Sequence, residues 1–137
     1  MENFNNEQIM ISIAIPVYNG NDTLALTLDN IIGQINENIE IIICDDFSTD
    51  KTYDIAMSYS HYDFVRVFKN DSNLGMDKNF EKTAKLCKGK FVWFFGQDDQ
   101  LYPGSIEKVV KIIRNNKNLG IVYLNYDQYD NNLEKIL

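Results

Sequence analysis

The chain has 137 residues, 45% of them hydrophobic and 24% charged, which is the size and balance of one globular domain with a sizeable core. Its net charge of −7 argues against a general nucleic-acid-binding protein, which would carry the opposite sign. No window approaches the roughly 20 apolar residues of a membrane-spanning helix, and the polar residues 1–8 resemble neither a signal nor a transit peptide.

The first predicted unit is a strand followed by a helix. Ile9–Val17 is predicted as the strand, with Pro16 near its end, where a missing backbone N–H is tolerated. An Asn19-Gly20 turn follows, and Asn21 or Asp22 is predicted to cap the helix. Apolar residues of this helix recur at helical spacing at Leu24, Leu28, Ile31, Ile32 and Ile35.

The second unit repeats this order. Glu40–Cys44 is predicted as a continuous apolar strand that ends at an acidic pair. Ser48–Asp50 is predicted to cap a helix running to about residue 60. A third strand is predicted over Phe64–Phe68, and the polar segment 70–75 after it is predicted as a loop.

The remaining chain is predicted to continue as helix, strand, helix and strand. One helix ends at Gly89 and presents Met76, Phe80, Ala84 and Cys87 on one face. Lys90–Phe95 is predicted as a central strand, apolar on both faces with Trp93 in the core, and Leu119–Leu124 as a fifth strand. Between them, a helix begins near Pro103 and is predicted to bury Ile106, Val109, Val110 and Ile113.

This β-α alternation predicts an α/β fold with a mostly parallel sheet covered by helices on both faces. No repeat, linker or low-complexity tract interrupts it. We expect a polar N-terminal tail over residues 1–8 and one ligand-binding domain over residues 9–125. Residues 126–137 are polar and tyrosine-rich, and we expect them to be a C-terminal segment at which a longer domain is truncated.

Polar side chains cluster where the predicted strands end. Asp45 and Asp46 close the second strand, and Asp98 and Asp99 follow the fourth. Ligands of open parallel sheets bind beyond the carboxyl ends of the strands, so we expect the two acidic pairs to converge at one rim. Their mutual repulsion would be relieved by a hard divalent cation, and Mg²⁺ or Mn²⁺ completes its shell with water and phosphate oxygens. The residue types therefore predict a metal–diphosphate site.

Four sequence blocks resemble family 2 glycosyltransferases, which have the GT-A fold. They are IAIPVYNG, IIICDDFSTDKT, NLGMDKNF and FVWFFGQDDQLYPGSI, in the family's order and spacing. The third and fourth blocks are most similar to transferases of bacterial surface polysaccharide, including the abequosyltransferase-like branch. The resemblance covers about residues 9–125 and implies a donor-binding GT-A domain.

The resemblance implies a set of nucleotide contacts. Pro16 and Tyr18 would flank the base, and Asp46 would accept a hydrogen bond from it, with Asp45 supporting the loop or the ribose. Lys78 lies where a cation would meet the diphosphate.

The same resemblance implies a metal site with one departure from the family pattern. Asp98 matches the metal-binding aspartate of the DxD motif, and Asp99 would help to hold metal, ribose or donor sugar. The motif reads Gly96-Gln97-Asp98, so its first acid is absent, and Gln97 would substitute as a neutral hydrogen-bonding partner for the nucleotide.

The resemblance further implies an inverting transfer from a nucleotide-diphospho-sugar, UDP-type being favoured, to a glycan or lipid-linked acceptor. Divalent Mg²⁺ or Mn²⁺ would stabilise the leaving diphosphate. The catalytic base is expected beyond residue 137, so these residues alone are expected to bind nucleotide without turnover. The expected location is the cytoplasm, at the inner membrane face if the protein associates peripherally.

Two other classes of function are alternatives to a glycosyltransferase. A nucleotide-binding module of the same fold without turnover is consistent with the missing first acid. A Mg²⁺-binding receiver-type signalling domain would need an Asp after the third strand and a Lys after the fifth, where this chain has Phe68-Lys69-Asn70 and Leu124-Asn125-Tyr126. No GxGxxG follows the first strand, which disfavours a Rossmann dehydrogenase.

The remaining reactive side chains are predicted to be structural or at the surface. Cys44 and Cys87 are far apart and form no CxxC pair, which predicts two buried thiols in a reducing compartment and neither a disulfide nor a zinc site. His61 is the single histidine and lies in a polar stretch, which predicts a surface position.

Overall fold

The computed structural model describes residues 8–35, 38–130 and 135. The chain forms two compact units, Met1–Glu107 and Lys108–Leu137. Most of the predicted N-terminal tail and half of the predicted C-terminal segment fall outside the described residues.

The first unit contains a four-stranded parallel sheet with the strand order β3-β2-β1-β4. Its strands are β1 (Ile11–Val17), β2 (Ile39–Asp45), β3 (Val65–Lys69) and β4 (Phe91–Phe94). The predicted parallel α/β sheet is therefore confirmed for its first four strands. In register, Ala14 of β1 pairs with Ile42 of β2 on one side and with Phe94 of β4 on the other.

Helices connect the strands in the predicted order. They are α1 (Leu24–Ile32), α2 (Thr52–Ser58), α3 (Met76–Leu86) and α4 (Ser105–Asn115). Right-handed crossovers place α1 and α2 on one face of the sheet and α3 on the other, because the third crossover runs back past β2 and β1. Each of the helices in the described ranges is too short or too polar to cross a membrane.

The core lies around the two central strands. Every residue of β2 is buried, and so is every residue of β1 except Pro16, which is half-buried. Both faces of these strands are covered, which explains why their sequences are continuously apolar and do not alternate. The apolar face predicted for α4 is also confirmed, since Ile106, Val109, Val110 and Ile113 are buried.

The prediction that β4 is a central strand with Trp93 in the core is wrong. β4 is the outer strand of the four-stranded sheet, and its residues alternate between half-buried and exposed. Val92 and Phe94 are exposed and Trp93 is half-buried. An apolar run alone does not distinguish a central strand from an outer one, because strand order depends on pairing partners far along the chain.

The prediction of a fifth strand over Leu119–Leu124 is also wrong. No residue of this segment is in a strand, and Ile121 and Tyr123 are more than four-fifths exposed. A strand requires a neighbouring backbone to accept and donate its hydrogen bonds, and local hydrophobicity does not supply one. In the second unit, the described pairing is an isolated antiparallel bridge between Tyr129 and Lys135.

Two local details of the helices also differ from prediction. Neither Asn21 nor Asp22 caps α1; the first N–H groups, of Thr23 and Leu24, donate instead to the carbonyl oxygen of Gly20. The buried face of α3 is polar, because Asn79 and Thr83 point inward while Met76 is 73% exposed. Asn79 faces inward because its side chain bonds to buried polar groups at the end of β2.

A buried carboxylate ties the amino ends of the strands together. Glu40 accepts hydrogen bonds from the Ser12 hydroxyl at 2.6 Å, the Lys88 backbone N–H at 2.7 Å and the Arg66 guanidinium at 2.7 Å. Burial alone would raise the pKa of Glu40, but these donors outweigh it and hold the pKa below its ordinary value of 4.5. The ionised form is therefore bound more favourably in the folded state than in the unfolded one.

We expect Glu40→Gln to destabilise the fold at pH 7 by about 1–3 kcal/mol, since buried donors lose a charged acceptor. Because the folded-state pKa is depressed, the stability contributed by Glu40 is present above about pH 4.5 and is lost as the pH falls through the folded-state value. Urea denaturation at pH 7, 5 and 3 should show the difference between wild type and variant shrinking with pH. Glu81→Gln, at an exposed ion pair with Lys85, is the control and should leave the free energy of unfolding nearly unchanged. If the difference in the free energy of unfolding between wild type and Glu40→Gln stays constant from pH 7 to pH 3, the lowered pKa of Glu40 is contradicted.

Candidate functional site

The candidate site is the edge of the sheet at which all four strands end. In a parallel sheet these carboxyl ends share one edge, and ligands bind where neighbouring strands connect in opposite directions. Here that position lies between β1 and β4, because β1 has its successor β2 on one side and β4 on the other. Tyr18 follows β1 and Gln97 follows β4, so both lie at this position.

The loop after β1 is held by the loop after β2. The Asn19 N–H donates to the Ser48 hydroxyl at 2.9 Å, and the Gly20 N–H donates to the Thr52 hydroxyl at 2.8 Å. In return, the Asn19 side-chain oxygen accepts from the Thr49 N–H at 2.9 Å. Asn19 has a positive φ of 47°, a conformation that asparagine tolerates well. These bonds fix the backbone while the Tyr18 side chain stays 45% exposed to solvent.

Asp46 anchors the loop that follows β3. Its Oδ1 accepts from the Asn70 amide at 2.7 Å and the Leu74 N–H at 2.8 Å, and its Oδ2 accepts from the Gly75 N–H at 2.9 Å. The side chain is 2% exposed, so these bonds form out of contact with bulk water. The structure therefore gives Asp46 an architectural task in addition to the base contact predicted for it.

Asn70 and Asn79 complete this buried network, and sequence reasoning missed both. The Asn70 amide also donates to Asn79 Oδ1 at 3.0 Å, and the Asn79 amide donates to the Cys44 carbonyl at 2.9 Å. The available signal was a polar residue at a core-facing position of α3. That position could be recognised only once the face of the helix was known.

Asp45 carries a buried oxygen that lacks a partner. Its Oδ2 accepts from the Ser48 N–H at 3.1 Å, while Oδ1 has no hydrogen-bond partner among the described residues. The residue is fully buried, and an unpaired buried oxygen costs about 1–3 kcal/mol. A ligand N–H or O–H that reached Oδ1 would recover this free energy.

Phe47, two residues after Asp45, has a strained backbone and an exposed side chain. Its φ is 63°, which is rare for a bulky residue, and its side chain is 46% exposed. The Lys69 ammonium lies 5.9 Å from its ring centre and 4.5 Å from that of Tyr53. Sequence reasoning did not single out this aromatic side chain at the rim of the site.

The acidic loop, defined here as residues 96–101, presents two exposed carboxylates. The Gly96 N–H donates to Asp99 Oδ2 at 3.0 Å, whereas no described residue donates to the Asp98 carboxylate. A Cβ on Gly96 would lie 2.7 Å from Asp99 Oδ2 and 3.1 Å from Asp98 Oδ1. Both carboxylates therefore converge over Gly96, in a space that any side chain at position 96 would fill.

The prediction that all four aspartates converge is wrong. Among the described residues, no three acidic, histidine or cysteine side chains surround a common point at which a metal could sit. The physical reason is the strand order: β1 lies between β2 and β4, which separates their ends by about 10 Å. Asp45 and Asp46 are also buried and bonded, respectively, to their own loop and to the loop after β3, while Asp98 and Asp99 face solvent.

Helix α1 holds the acidic loop from one side. The Thr27 hydroxyl donates to the Gln97 carbonyl at 2.9 Å. The Asn30 side chain pairs with both backbone groups of Leu101, accepting from its N–H at 2.7 Å and donating to its carbonyl at 3.1 Å. These contacts support the loop at both ends without using the two carboxylates.

The structure brings some predicted residues together and leaves others apart. Tyr18 and Gln97 are in direct contact through hydrogen bonds. Lys78 lies exposed on the first turn of α3 and has no hydrogen bond or ion pair to the other predicted residues. His61 is exposed and Cys44 is buried, as predicted. Cys87 was also predicted to be buried but is only half-buried, because it lies just after the end of α3.

An open groove of about 400 Å³ lies at the opposite edge of the sheet, near the amino ends of β2 and β3. Its charged lining includes Glu40 and Arg66, which already neutralise each other. The groove therefore offers less chemistry than the acidic loop.

The comparisons with known proteins agree with the fold and the order of the motifs. The model of "Glycosyl transferase family 2" matches residues 12–137. Abequosyltransferase RfbV of Salmonella typhimurium is 38% identical over 102 residues, which are 72% of this chain and 31% of that protein. The Escherichia coli enzyme WfaP, named a UDP-Glc:alpha-D-GlcNAc-diphosphoundecaprenol beta-1,3-glucosyltransferase, is 32% identical over 88% of this chain and 46% of its own length.

The structural comparison gives the same fold. The structure of S. aureus TarS 1-349 in complex with UDP-GlcNAc matches with a TM-score of 0.72 and 22% identity. The match covers 83% of this chain and 37% of that one. This chain thus spans less than half the length of each of these relatives.

Proposed function

Since this chain belongs to glycosyl transferase family 2, we propose that it binds the nucleoside diphosphate part of a nucleotide-sugar donor at the carboxyl edge of its sheet. The observation that carries the proposal is the position of the acidic loop. Asp98 and Asp99 converge over Gly96 and face solvent. Gln97, which precedes Asp98, bonds to the backbone of the exposed Tyr18 at the point where β1 and β4 diverge. This juxtaposes an aromatic contact for a base with carboxylates for a metal.

The residues present fit a divalent cation that arrives with the diphosphate. Mg²⁺ and Mn²⁺ take oxygen ligands, and sites of this kind use one or two carboxylates together with substrate phosphates and water. Asp98 and Asp99 supply such carboxylates, and the space over Gly96 is open to them. When bound, the cation supplies positive charge against the leaving diphosphate. Because no third acid surrounds the same point in the described chain, we expect weak metal binding without nucleotide.

The chain's own residues would bind and orient the nucleoside. Tyr18 and Pro16 are proposed to flank the base. Asp45, whose buried Oδ1 has no partner among the described residues, is proposed to support the loop or the ribose. Asp46 is proposed to contact the base through its remaining acceptor capacity while it holds the loop after β3. Lys78 is proposed to contribute positive charge toward the diphosphate, and Gln97 a neutral contact to the nucleotide.

The wider assignments are also proposals. We propose an inverting transfer in bacterial surface polysaccharide synthesis, in which an acceptor hydroxyl attacks the anomeric carbon, the bond to the diphosphate breaks and a carboxylate base takes the proton. UDP is the favoured nucleotide, which the donor in the printed name of WfaP supports. Four further assignments stay predictions. The acceptor is a glycan or a lipid-linked sugar, and the catalytic base lies beyond residue 137. Residues 9–125 form the donor-binding part, and the protein is located at the inner membrane face.

A module that binds nucleotide without turnover is the second candidate. The observation that favours it is Gly96, which stands where the family motif has its first acid. Release of nucleoside diphosphate from a nucleotide-sugar, measured with the full-length protein, would separate an enzyme from this module.

The test is calorimetric titration of the chain with UDP, CDP and GDP, with Mn²⁺ and with EDTA. We expect one nucleotide, UDP, to bind and its affinity to rise at least about tenfold with Mn²⁺, because the metal links the carboxylates to the diphosphate. Equal binding in EDTA would overturn the metal part of the proposal. No binding of any nucleotide under either condition would overturn the proposed function.

A further inference from the structure

We propose that Gln97 is a positioning residue that joins the base-binding end of β1 to the acidic loop. The inference deepens the proposed function and rests on it for the identity of the ligand. The contact between Gln97 and Tyr18 is a feature of the chain itself, whatever the site binds.

The two hydrogen bonds between the Gln97 side-chain amide and the Tyr18 backbone resemble those of a pair of residues in neighbouring strands. Gln97 Oε1 accepts from the Tyr18 N–H at 2.9 Å, and its Nε2 donates to the Tyr18 carbonyl at 3.2 Å. The backbone pairing of β1 with β4 ends earlier, at Ala14 and Phe94, with a last bond from the Phe95 N–H to the Ala14 carbonyl. The side-chain amide therefore bridges the two chains after their backbones have diverged.

Glutamine suits this contact because one group both donates and accepts. A carboxylate accepts hydrogen bonds but cannot donate to the Tyr18 carbonyl, and it would add negative charge beside Asp98 and Asp99. Space for the amide depends on Gly20, since a Cβ there would lie 2.6 Å from Gln97 Cδ and Oε1. The position of the Gln97 amide therefore depends on the absence of a side chain at Gly20.

Gln97 thereby fixes the distance between the end of β1 at Tyr18 and the acidic loop. Thr27 and Asn30 hold the acidic loop on α1, and Gln97 links the same loop to β1. Tyr18 and Asp98 are the residues proposed for the base and the metal, at opposite ends of a nucleoside diphosphate. Loss of the amide leaves the loop on α1 but frees it from Tyr18, so base and metal contacts are no longer set together.

Two variants test the inference by different routes. Gln97→Ala removes the amide, and Gly20→Ala displaces it while leaving residue 97 unchanged. The first readout needs no ligand: exchange of the Tyr18 amide hydrogen should become at least about tenfold faster in both variants, because its acceptor is lost. The Asp46 N–H, which donates to the Val17 carbonyl at 2.8 Å, is the internal control and should keep its rate.

The second readout is the ratio of the UDP dissociation constants in EDTA and in Mn²⁺. We expect this ratio to fall about tenfold in both variants, because the bridge that sets the base and metal contacts together is lost. Gln97→Glu separates positioning from direct ligation: a positioning role predicts a lower ratio, and a metal ligand predicts a higher one.

The outcomes are distinct. A wild-type ratio in both alanine variants would overturn the inference, and so would an equal loss of affinity with and without Mn²⁺. If wild type binds no nucleotide, the proposed function fails and the donor-site role of Gln97 fails with it. Faster Tyr18 exchange in that case would show that the bridge exists without that role.

Discussion

Replacing Asp98 with asparagine is expected to remove most of the gain in UDP affinity that Mn²⁺ provides. The Asp98 carboxylate accepts no hydrogen bond within the described chain, is exposed, and converges with Asp99 over Gly96. Asparagine keeps the shape of the side chain but loses the charge and one strong metal ligand. Loss of even a supporting residue costs about 10–100-fold in metal affinity, so we expect at least this loss for Asp98. The measurement is calorimetric titration of UDP in Mn²⁺ and in EDTA.

The matched control is Asp63→Asn, which makes the same change of charge at an exposed residue lining the groove at the opposite edge of the sheet. It should retain the full effect of Mn²⁺. Gly96→Asp is a companion variant that adds the acid of the family motif. We expect it to weaken the Mn²⁺ effect, because its Cβ would occupy the space in which the two carboxylates converge. If Asp98→Asn keeps the full Mn²⁺ effect, the metal binds elsewhere.

Asp46→Ala is expected to produce a large loss of stability. The substitution removes the acceptor of the Leu74 N–H, at a side chain that is 2% exposed. It also removes one of two acceptors of the Asn70 amide, which keeps Asn79 Oδ1, and one of two acceptors of the Gly75 N–H, which keeps Asn73 Oδ1. Hydrogen bonds to charged groups contribute about 1.5–3 kcal/mol each and are not additive, so we expect about 3–5 kcal/mol in total. Urea denaturation at pH 7, followed by circular dichroism, measures this difference.

Asp46→Asn is the matched control, because it keeps Oδ1 as an acceptor for Asn70 and Leu74 and removes only the bond from the Gly75 N–H, which also donates to Asn73 Oδ1. We expect it to cost about half as much as the alanine variant. A free energy of unfolding within about 0.5 kcal/mol of wild type for Asp46→Ala would show that water replaces the three bonds, and that Asp46 does not hold the loop.

The strands of the central sheet were predictable because their signal is local. β1 and β2 are buried on both faces, so their sequences are continuously apolar, and their ends were predicted within two residues. The two acidic pairs were located at strand ends by the same reasoning. Their different roles were not predictable, because burial of Asp46 and exposure of Asp98 depend on loops contributed by distant segments.

The errors share one cause. Leu119–Leu124 has the composition of a strand but pairs with no other described segment, and β4 has the composition of a central strand but lies at an outer position. Pairing is a property of two segments, and one sequence window contains only one of them. The polar buried face of α3 was missed for a related reason, since Asn79 is buried to serve Asn70 and the Cys44 carbonyl.

Periodicity and short motifs were therefore enough to predict the α/β class, the parallel arrangement, the family and the rim at which the candidate site lies. The contacts by which Asp46 anchors a loop, Asp98 and Asp99 converge over Gly96, and Gln97 bridges to Tyr18 became visible in the folded chain. Each of these contacts joins residues from different elements or depends on the local fold of a loop. Their geometry is set by strand order and register, which no single segment encodes.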